Sequence, residues 1–326
     1  MSATPLHAPR TAPPAEDGNE SLVSVLAALA ANTAIAVAKG TAAALTGSPA
    51  LLAETLHTLA DAGNEVLLWV ALRRSERPAD PTHPFGYGPE RYYWALLAAI
   101  GMFVIGGALS IWEGIHALLD PPELEAFWVG VGVLLIALTL DGISRMIAVR
   151  GLRRQAAARE VSVRQLLRES ADPTIVTVYL EDSIDVLGAG LALIALILHK
   201  VTDSALPDAL ATLVIGLMLG YVAVRLTGRN RKLLANQGIP DRYVNRLREQ
   251  LTSVPGISGV GDLQAIYLGP SEVLVTADVA MEDGVDVLAA VERARDELLA
   301  VPKIARVYLT PVAYRGAACE PSRSPT

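Results

Sequence analysis

The fold is decided by one stretch of the chain, residues 49–64, which reads PALLAETLHTLADAGN. It lies in an apolar segment, residues 50–72, and about 20 apolar residues are enough to cross a bilayer as a helix. His57 and Asp61 stand four residues apart, so they lie one above the other on the same helical face. Ionisable groups inside a membrane helix are costly, and an imidazole paired with a carboxylate suits zinc and similar dications. This stretch therefore predicts a metal site on a membrane-spanning helix.

The composition and the other apolar stretches predict a multi-pass membrane protein. Of the 326 residues, 52% are hydrophobic and only 19% are charged. Six segments of spanning length occupy residues 22–45, 50–72, 93–119, 127–149, 174–198 and 209–226. Arginines are concentrated in the loops after the second and fourth segments and beyond the sixth, which by the positive-inside rule predicts cytoplasmic amino and carboxyl termini. The sequence thus predicts six transmembrane helices, and we expect them in a bacterial-type cell membrane.

The last third of the chain has a different pattern. From about Gly238 the order of amphipathic and alternating segments is α-β-β-α-β, which fits a small α+β domain of the ferredoxin-like type. The predicted organisation is a disordered tail at residues 1–20, a six-helix transmembrane domain at 21–235, a cytoplasmic ferredoxin-like domain at 236–315 and a disordered tail at 316–326.

A second group of ionisable residues falls in the fifth predicted span. Its start is marked by Asp172-Pro173, a capping residue followed by a proline suited to the first helical turn. Glu181, Asp182 and Asp185 follow, with Glu181 and Asp185 one turn apart. Three carboxylates this close cannot all stay ionised in a low-dielectric site without a counter-charge. Either a dication or protons would neutralise them, which is the chemical basis of metal/proton exchange.

Several polar residues near these groups have two interpretations. Glu54 and Asn64 share the helical face of His57, but Glu54, like Glu65, also fits a position near the helix end, at the mouth of a path. Lys39 in the first span fits a counter-ion for the acids or a side chain that reaches to the membrane surface. His57 itself is compatible with a plain hydrogen bond between helices.

Several other classes of protein are excluded. The formal net charge of -7, without a basic face, argues against nucleic-acid binding. The single cysteine, Cys319, excludes a thiolate-rich zinc site and an intrachain disulfide. The sequence has no nucleophile–base pair and no phosphate-binding glycine loop, so we predict neither an enzyme nor a tightly bound cofactor.

Two motifs resemble the cation diffusion facilitator family. Residues 47–64 look like that family's second-helix signature, and residues 83–88, HPFGYG, look like its His-Pro-aromatic-Gly loop between helices two and three. The resemblance extends over about residues 21–315. It implies a homodimer that exports zinc or related dications from the cytoplasm in exchange for protons. It also implies a central site with two residues from helix two, here His57 and Asp61, and two from helix five.

Helix five departs from the common family pattern, which is His or Asp, three residues, then Asp. If Asp182 is the Asp, its partner position is Val178, which cannot bind metal. The run from Leu180 to Ser183 looks instead like the branch that includes human zinc transporter nine. In that case Glu181 or Asp185 would substitute, or three ligands and a water would complete the site.

These observations predict an efflux transporter of divalent transition-metal cations, zinc first, working by metal/proton antiport. The assigned metal ligands are His57, Asp61, Asp182 and Glu181, with supporting charge or proton coupling from Asp185, Lys39, Asn64 and Glu54. One imidazole with several carboxylates also admits Mn²⁺, Co²⁺ or Fe²⁺. The predicted partners are the lipid bilayer, metal dications, protons and a second copy of the chain. The alternative is a metal-binding membrane regulator of the same fold that lacks transport turnover.

Overall fold

The computed structural model describes residues 18–158 and 160–312, without the side chains of residues 18–28 and 31. Of the two predicted disordered tails, residues 1–17 and all of 316–326, including Cys319, lie outside this description, and residues 18–20 belong to the first helix. The first part of the described chain consists of α1 (Gly18–Thr46), α2 (Pro49–Ser75), α3 (Glu90–Gly101), a π-helix (Met102–Ala108), α4 (Leu109–Leu119), α5 (Phe127–Ala158), α6 (Val163–Glu169), α7 (Pro173–Thr202) and α8 (Leu206–Leu234).

The helix starts that matter for the site are fixed by local chemistry. Ser48 caps α2, because its side chain accepts a hydrogen bond from the backbone N–H of Leu51 and Pro49 occupies the first turn. Asp172 caps α7 in the same way, accepting from the backbone N–H of Thr174 at 2.9 Å, as its sequence predicts. The two caps fix where the polar residues of α2 and α7 fall along the bundle.

The first part of the chain is a helical domain of membrane type. Within the described residues, four helices are long and apolar enough to cross a bilayer: Glu90–Leu119, Phe127–Ala158, Pro173–Thr202 and Leu206–Leu234. α1 and α2 are not among them, although they have 29 and 27 residues. In α2 the reason is its row of ionisable residues, which lowers its hydropathy; three of them, Glu54, His57 and Asp61, are buried.

The third long helix contains a feature that the hydropathy pattern does not predict. Between Met102 and Ala108 its backbone turns into a π-helix, flanked by α3 and α4. This segment packs against α2 and α8. π-helical turns of this kind are frequent at functional sites, and this one lies beside the helix that carries His57.

The carboxyl-terminal part is a small α+β unit. Its elements are α9 (Asp241–Ser253), β1 (Ile257–Gly269), β2 (Glu272–Met281), α10 (Val287–Ala300) and β3 (Ile304–Val312). The sheet order is β1-β2-β3, with β1 antiparallel and β3 parallel to β2. Alternate residues of β2, such as Val275 and Val279, are buried against α9 and α10, where Leu251 and Leu298 complete the core. The order α-β-β-α-β is the one that the sequence pattern predicts.

The loop between α2 and α3 connects the two parts of the chain. Arg306 of β3 donates a hydrogen bond to the carbonyl of Pro84 at 3.0 Å, and its guanidinium lies over the ring of Phe85. Within the loop, hydrogen bonds from the side chains of Thr82 and Tyr87 hold the pKa of Asp80 well below its usual range, so this carboxylate fastens the turn.

Gly88 of this loop packs against the α+β unit of residues 241–312, here called the tail unit, and it provides a test of the contact. A methyl group on Gly88 would overlap the carbonyl of Leu268 and lie 3.0 Å from the Cα of Gly269. We expect Gly88→Ala to weaken the docking of the tail unit by about 1–3 kcal/mol, since both neighbours are backbone. Limited proteolysis of the segment between α8 and α9 should become faster. Gly151→Ala, where a methyl group meets nothing within 4 Å, is the control. Equal cleavage rates in both variants would contradict the contact.

Candidate metal centre

Three side chains from two helices meet in the interior of the helical domain. His57 and Asp61 of α2 and Asp185 of α7 each offer a ligand atom, and these atoms all lie within 4.8 Å of one another. The His57 Nδ1 atom is 3.5 Å from the Asp61 carboxylate, and the Nε2 atom is 3.0 Å from that of Asp185. The imidazole therefore stands between two carboxylates.

The atoms of this cluster fit a cation. Within the described part of the chain, both ring nitrogens of His57 and the Oδ1 atom of Asp61 are buried without a well-aligned hydrogen bond. Buried polar atoms normally have hydrogen-bond partners, so these unpaired atoms require an explanation. A bound ligand would supply one. One imidazole and several carboxylate oxygens form a donor set for zinc and neighbouring dications. The same groups accommodate a proton, because an imidazolium can donate from both nitrogens.

Glu181 extends the cluster to a second pair on α7. Its carboxylate accepts a hydrogen bond from the side-chain amide of Asn64, one turn beyond Asp61 on α2. It also lies close enough to the Asp61 and Asp185 carboxylates to interact with them electrostatically. His57 and Asp61 on one helix thus oppose Glu181 and Asp185 on the other, each pair spaced by four residues.

The predicted assignment of Asp182 as the helix-five ligand does not fit this geometry. Its Oδ1 atom accepts a hydrogen bond from Ser144 of α5 at 3.2 Å, and the neighbouring Arg145 donates to Ser183. Asp182 is rotated by about 100° from Glu181, so α7 directs it to α5 when Glu181 and Asp185 face α2. Asp185, predicted as a supporting charge, occupies the place expected for Asp182, and Val178 is exposed on the outside of the helix.

The remaining predicted residues lie one turn away along α2. Lys39 of α1 places its Nζ atom 3.0 Å from both the Glu54 carboxylate and the Thr58 hydroxyl. Lys39 is 1% exposed and Glu54 is not exposed at all, so Glu54 does not lie at a helix mouth. Glu65 differs, because it is only half-buried and accepts a hydrogen bond from Asn32 at 2.7 Å.

A second buried pair lies where the sequence suggests only loop residues. The His199 Nδ1 atom is 3.5 Å from the Asp208 carboxylate, which also accepts from the backbone N–H of Ala50 at 3.2 Å. The contact joins the end of α7 and the starts of α2 and α8. Asp208, which follows Pro207 just before the predicted sixth span, gives only a weak sign of this pair in the sequence.

Helices of spanning length around buried side chains that could hold a metal define a membrane protein with a candidate metal centre between α2 and α7. Residues 25–235 match the family model described as the cation efflux transmembrane domain. The chain belongs to the cation efflux family. This confirms the resemblance that residues 47–64 and 83–88 indicate.

Several curated proteins are similar to this chain. It is 33% identical over 234 residues to the mitochondrial proton-coupled zinc antiporter SLC30A9 of Homo sapiens, covering 72% of this chain and 41% of that protein. Metal tolerance protein C4 of Arabidopsis thaliana is 29% identical over 71% of this chain and 51% of its own length. The cation-efflux pump FieF of Klebsiella pneumoniae is 30% identical, over 82% of this chain and 83% of the pump. The chain thus spans about two fifths of the human relative.

Proposed function

We propose that this protein exports divalent transition-metal cations, zinc first, in exchange for protons. The single observation that carries the proposal is the buried group of one imidazole and two carboxylates between α2 and α7. The names of the relatives support it: one is a proton-coupled zinc antiporter and another a cation-efflux pump. Mn²⁺, Co²⁺ and Fe²⁺ are further candidate substrates, since the donor set admits them.

In this proposal His57, Asp61 and Asp185 bind the metal directly, and Glu181 is the fourth ligand. Asn64 holds the Glu181 carboxylate in place from the opposite helix. The exchange follows from charge. Several carboxylates in a buried site require either a dication or protons, so metal release to one side favours proton uptake there. Lys39 and Glu54 neutralise each other and leave the charge of the site unchanged.

We further propose the architecture that transport requires. α1, α2, the helix from Glu90 to Leu119, α5, α7 and α8 form six membrane spans, with both termini in the cytoplasm of a cell-membrane protein. The buried polar residues of α2 support its inclusion, because a helix lining a metal path need not be apolar on every face. The tail unit is a cytoplasmic ferredoxin-like domain, and it supports a homodimer because so small a unit gains from a partner that covers its open face.

Zinc uptake into proteoliposomes tests the proposal. Purified protein should accumulate zinc in vesicles with an imposed pH gradient, and uptake should stop when the gradient is dissipated. The His57→Ala variant should show no gradient-dependent uptake, and competition with manganese, cobalt and iron(II) ranks the substrates. Well-folded protein that binds zinc but moves no metal would contradict transport and favour the regulator without turnover. The pairing of Glu181 with Asp185 argues against that alternative, because it supplies the helix-five ligands that Val178 cannot.

A further inference from the structure

The metal centre is tightly enclosed on the side toward one end of the helical domain. We define the turn end as the end formed by the Gly47-Ser48 turn and the loop at 203–205, where Asp208 of α8 holds the start of α2. On that side of the centre the residues of α7 that face inward, Gly188, Ala189, Ala192, Ala195 and Leu196, are all buried. In the centre itself, the side chains of Asp61 and Asp185 are 11% and 19% exposed. The turn-end side of the centre is therefore enclosed more tightly than the centre itself.

The ion pair of Lys39 and Glu54 lies on the closed side of the centre. Glu54 is three residues closer to the turn end than His57, and Gly188 is three residues closer than Asp185 on α7. A methyl group at Gly188 would overlap the Glu54 carboxylate, so the side chain of Glu54 fills the space that this glycine leaves. The salt bridge, at 3.0 Å, thus closes a point where α1, α2 and α7 meet.

We propose that the Lys39–Glu54 pair is the barrier between the metal centre and the turn end, and that the pair must separate for metal to leave on that side. The inference rests on the proposed transport function and goes beyond it, because it assigns the side of closure and the residues that make it. Within the described residues, no hydrogen bond or ion pair joins Lys39 or Glu54 to His57, Asp61 or Asp185, so we assign them as positioning residues and not as ligands.

An ion pair is suited to this role for a physical reason. A buried pair is stable only while the partners stay together, since either charge alone in the interior is strongly unfavourable. A dication that moves from the centre toward the turn end approaches the Glu54 carboxylate, attracts it and repels the Lys39 ammonium. The metal itself therefore lowers the cost of separating the pair. When the centre holds no metal, nothing separates the pair and the barrier stays closed.

Side-specific labelling of a thiol tests the barrier. The reporter is Asp61→Cys in a Cys319→Ser background, which removes the one native cysteine. A membrane-impermeant maleimide is applied to inside-out and right-side-out vesicles separately. The barrier variant combines Lys39→Met with Glu54→Gln, because removing both charges avoids the unpaired buried charge that a single substitution would leave and that could prevent folding.

We expect the double substitution to speed labelling from the turn end by at least about 10-fold, because the closed state loses its ion pair. Labelling from the tail-unit end should stay within about twofold. Glu65→Gln is the matched control, since Glu65 also joins α2 to α1 by a hydrogen bond, on the other side of the centre. It should not speed labelling from the turn end. No increase in the double variant, or an equal increase in the control, would overturn the barrier.

A second measurement keeps the barrier and the transport proposal distinguishable. With Asp61 intact, Lys39→Met combined with Glu54→Gln should let zinc run down its own gradient without a pH gradient. Labelling needs no transport, so a wild-type protein without zinc flux but with the expected labelling would contradict the transport proposal alone. Gradient-dependent flux with unchanged labelling would contradict the barrier alone.

Discussion

Asp185→Asn is expected to lower zinc flux by at least about 100-fold, because even residues behind a metal ligand change affinity by 10–100-fold and this residue is proposed to bind the metal itself. The substitution keeps the size of the side chain and removes one charge from the group around His57. Asp182→Asn should keep flux within about threefold of wild type, since Asp182 contacts Ser144 and lies outside the cluster.

The comparison is made in proteoliposomes with a fixed pH gradient and equal amounts of folded protein. Asp182→Asn is the matched control: the same change, three residues away, on the same helix. Zinc binding in detergent should show the same difference between the two variants. Loss of flux in Asp182→Asn with normal flux in Asp185→Asn would contradict the rotation of α7 and restore the ligand set based on Asp182.

Asp208→Ala is expected to destabilise the protein by about 1–3 kcal/mol, the cost of leaving buried polar groups without their partner. Asp208 is not exposed. Its carboxylate accepts the backbone N–H of Ala50 at 3.2 Å and lies 3.5 Å from His199. Alanine would leave a buried N–H of the first turn of α2 and a buried imidazole without this partner.

Equilibrium unfolding in detergent measures this effect. Asp208→Asn should lose less stability, because an amide oxygen still accepts from Ala50, whereas the charge that faces His199 is gone. Asp120→Ala is the control: an exposed aspartate in the loop after α4. An unfolding free energy for Asp208→Ala equal to that of the control would show that the contact does not hold the turn end together.

Hydropathy and capping chemistry predict the helices well, because both are local. Each predicted span lies inside a helix or, for residues 93–119, inside α3, the π-helix and α4. The cap at Asp172 and the alternation of β2 also follow from neighbours in the sequence. The π-helix does not, since its backbone depends on packing against α2 and α8 and not on a local pattern.

The sequence does not predict how α7 is rotated about its own axis. Glu181, Asp182 and Asp185 lie within five residues, so any two of them can face α2. Ser144 and Arg145 on α5 decide the outcome by binding the other side of α7. These partners are 38 residues apart in the sequence. The spacing of the three acids therefore gives no sign of the contacts. The sequence predicts the acidic group but not which members face the imidazole.

The sequence also does not predict the burial of Glu54, or of His199 and Asp208, for a related reason. Glu54 is five residues from the start of α2, which resembles a helix-end position, yet Lys39 on α1 neutralises it in the interior. His199 and Asp208 flank one loop, and only the packing of α7, α8 and α2 places Asp208 between His199 and the backbone N–H of Ala50. Burial depends on the tertiary structure, so charge at a helix end does not establish exposure.

The most direct test of the central claim is a structure of the zinc-bound protein with anomalous diffraction measured at the zinc edge. The account predicts one zinc between α2 and α7, bound by His57, Asp61 and Asp185, with Glu181 as the remaining protein ligand. Zinc bound elsewhere with this cluster empty, or zinc bound by Asp182 in place of Asp185, would contradict it.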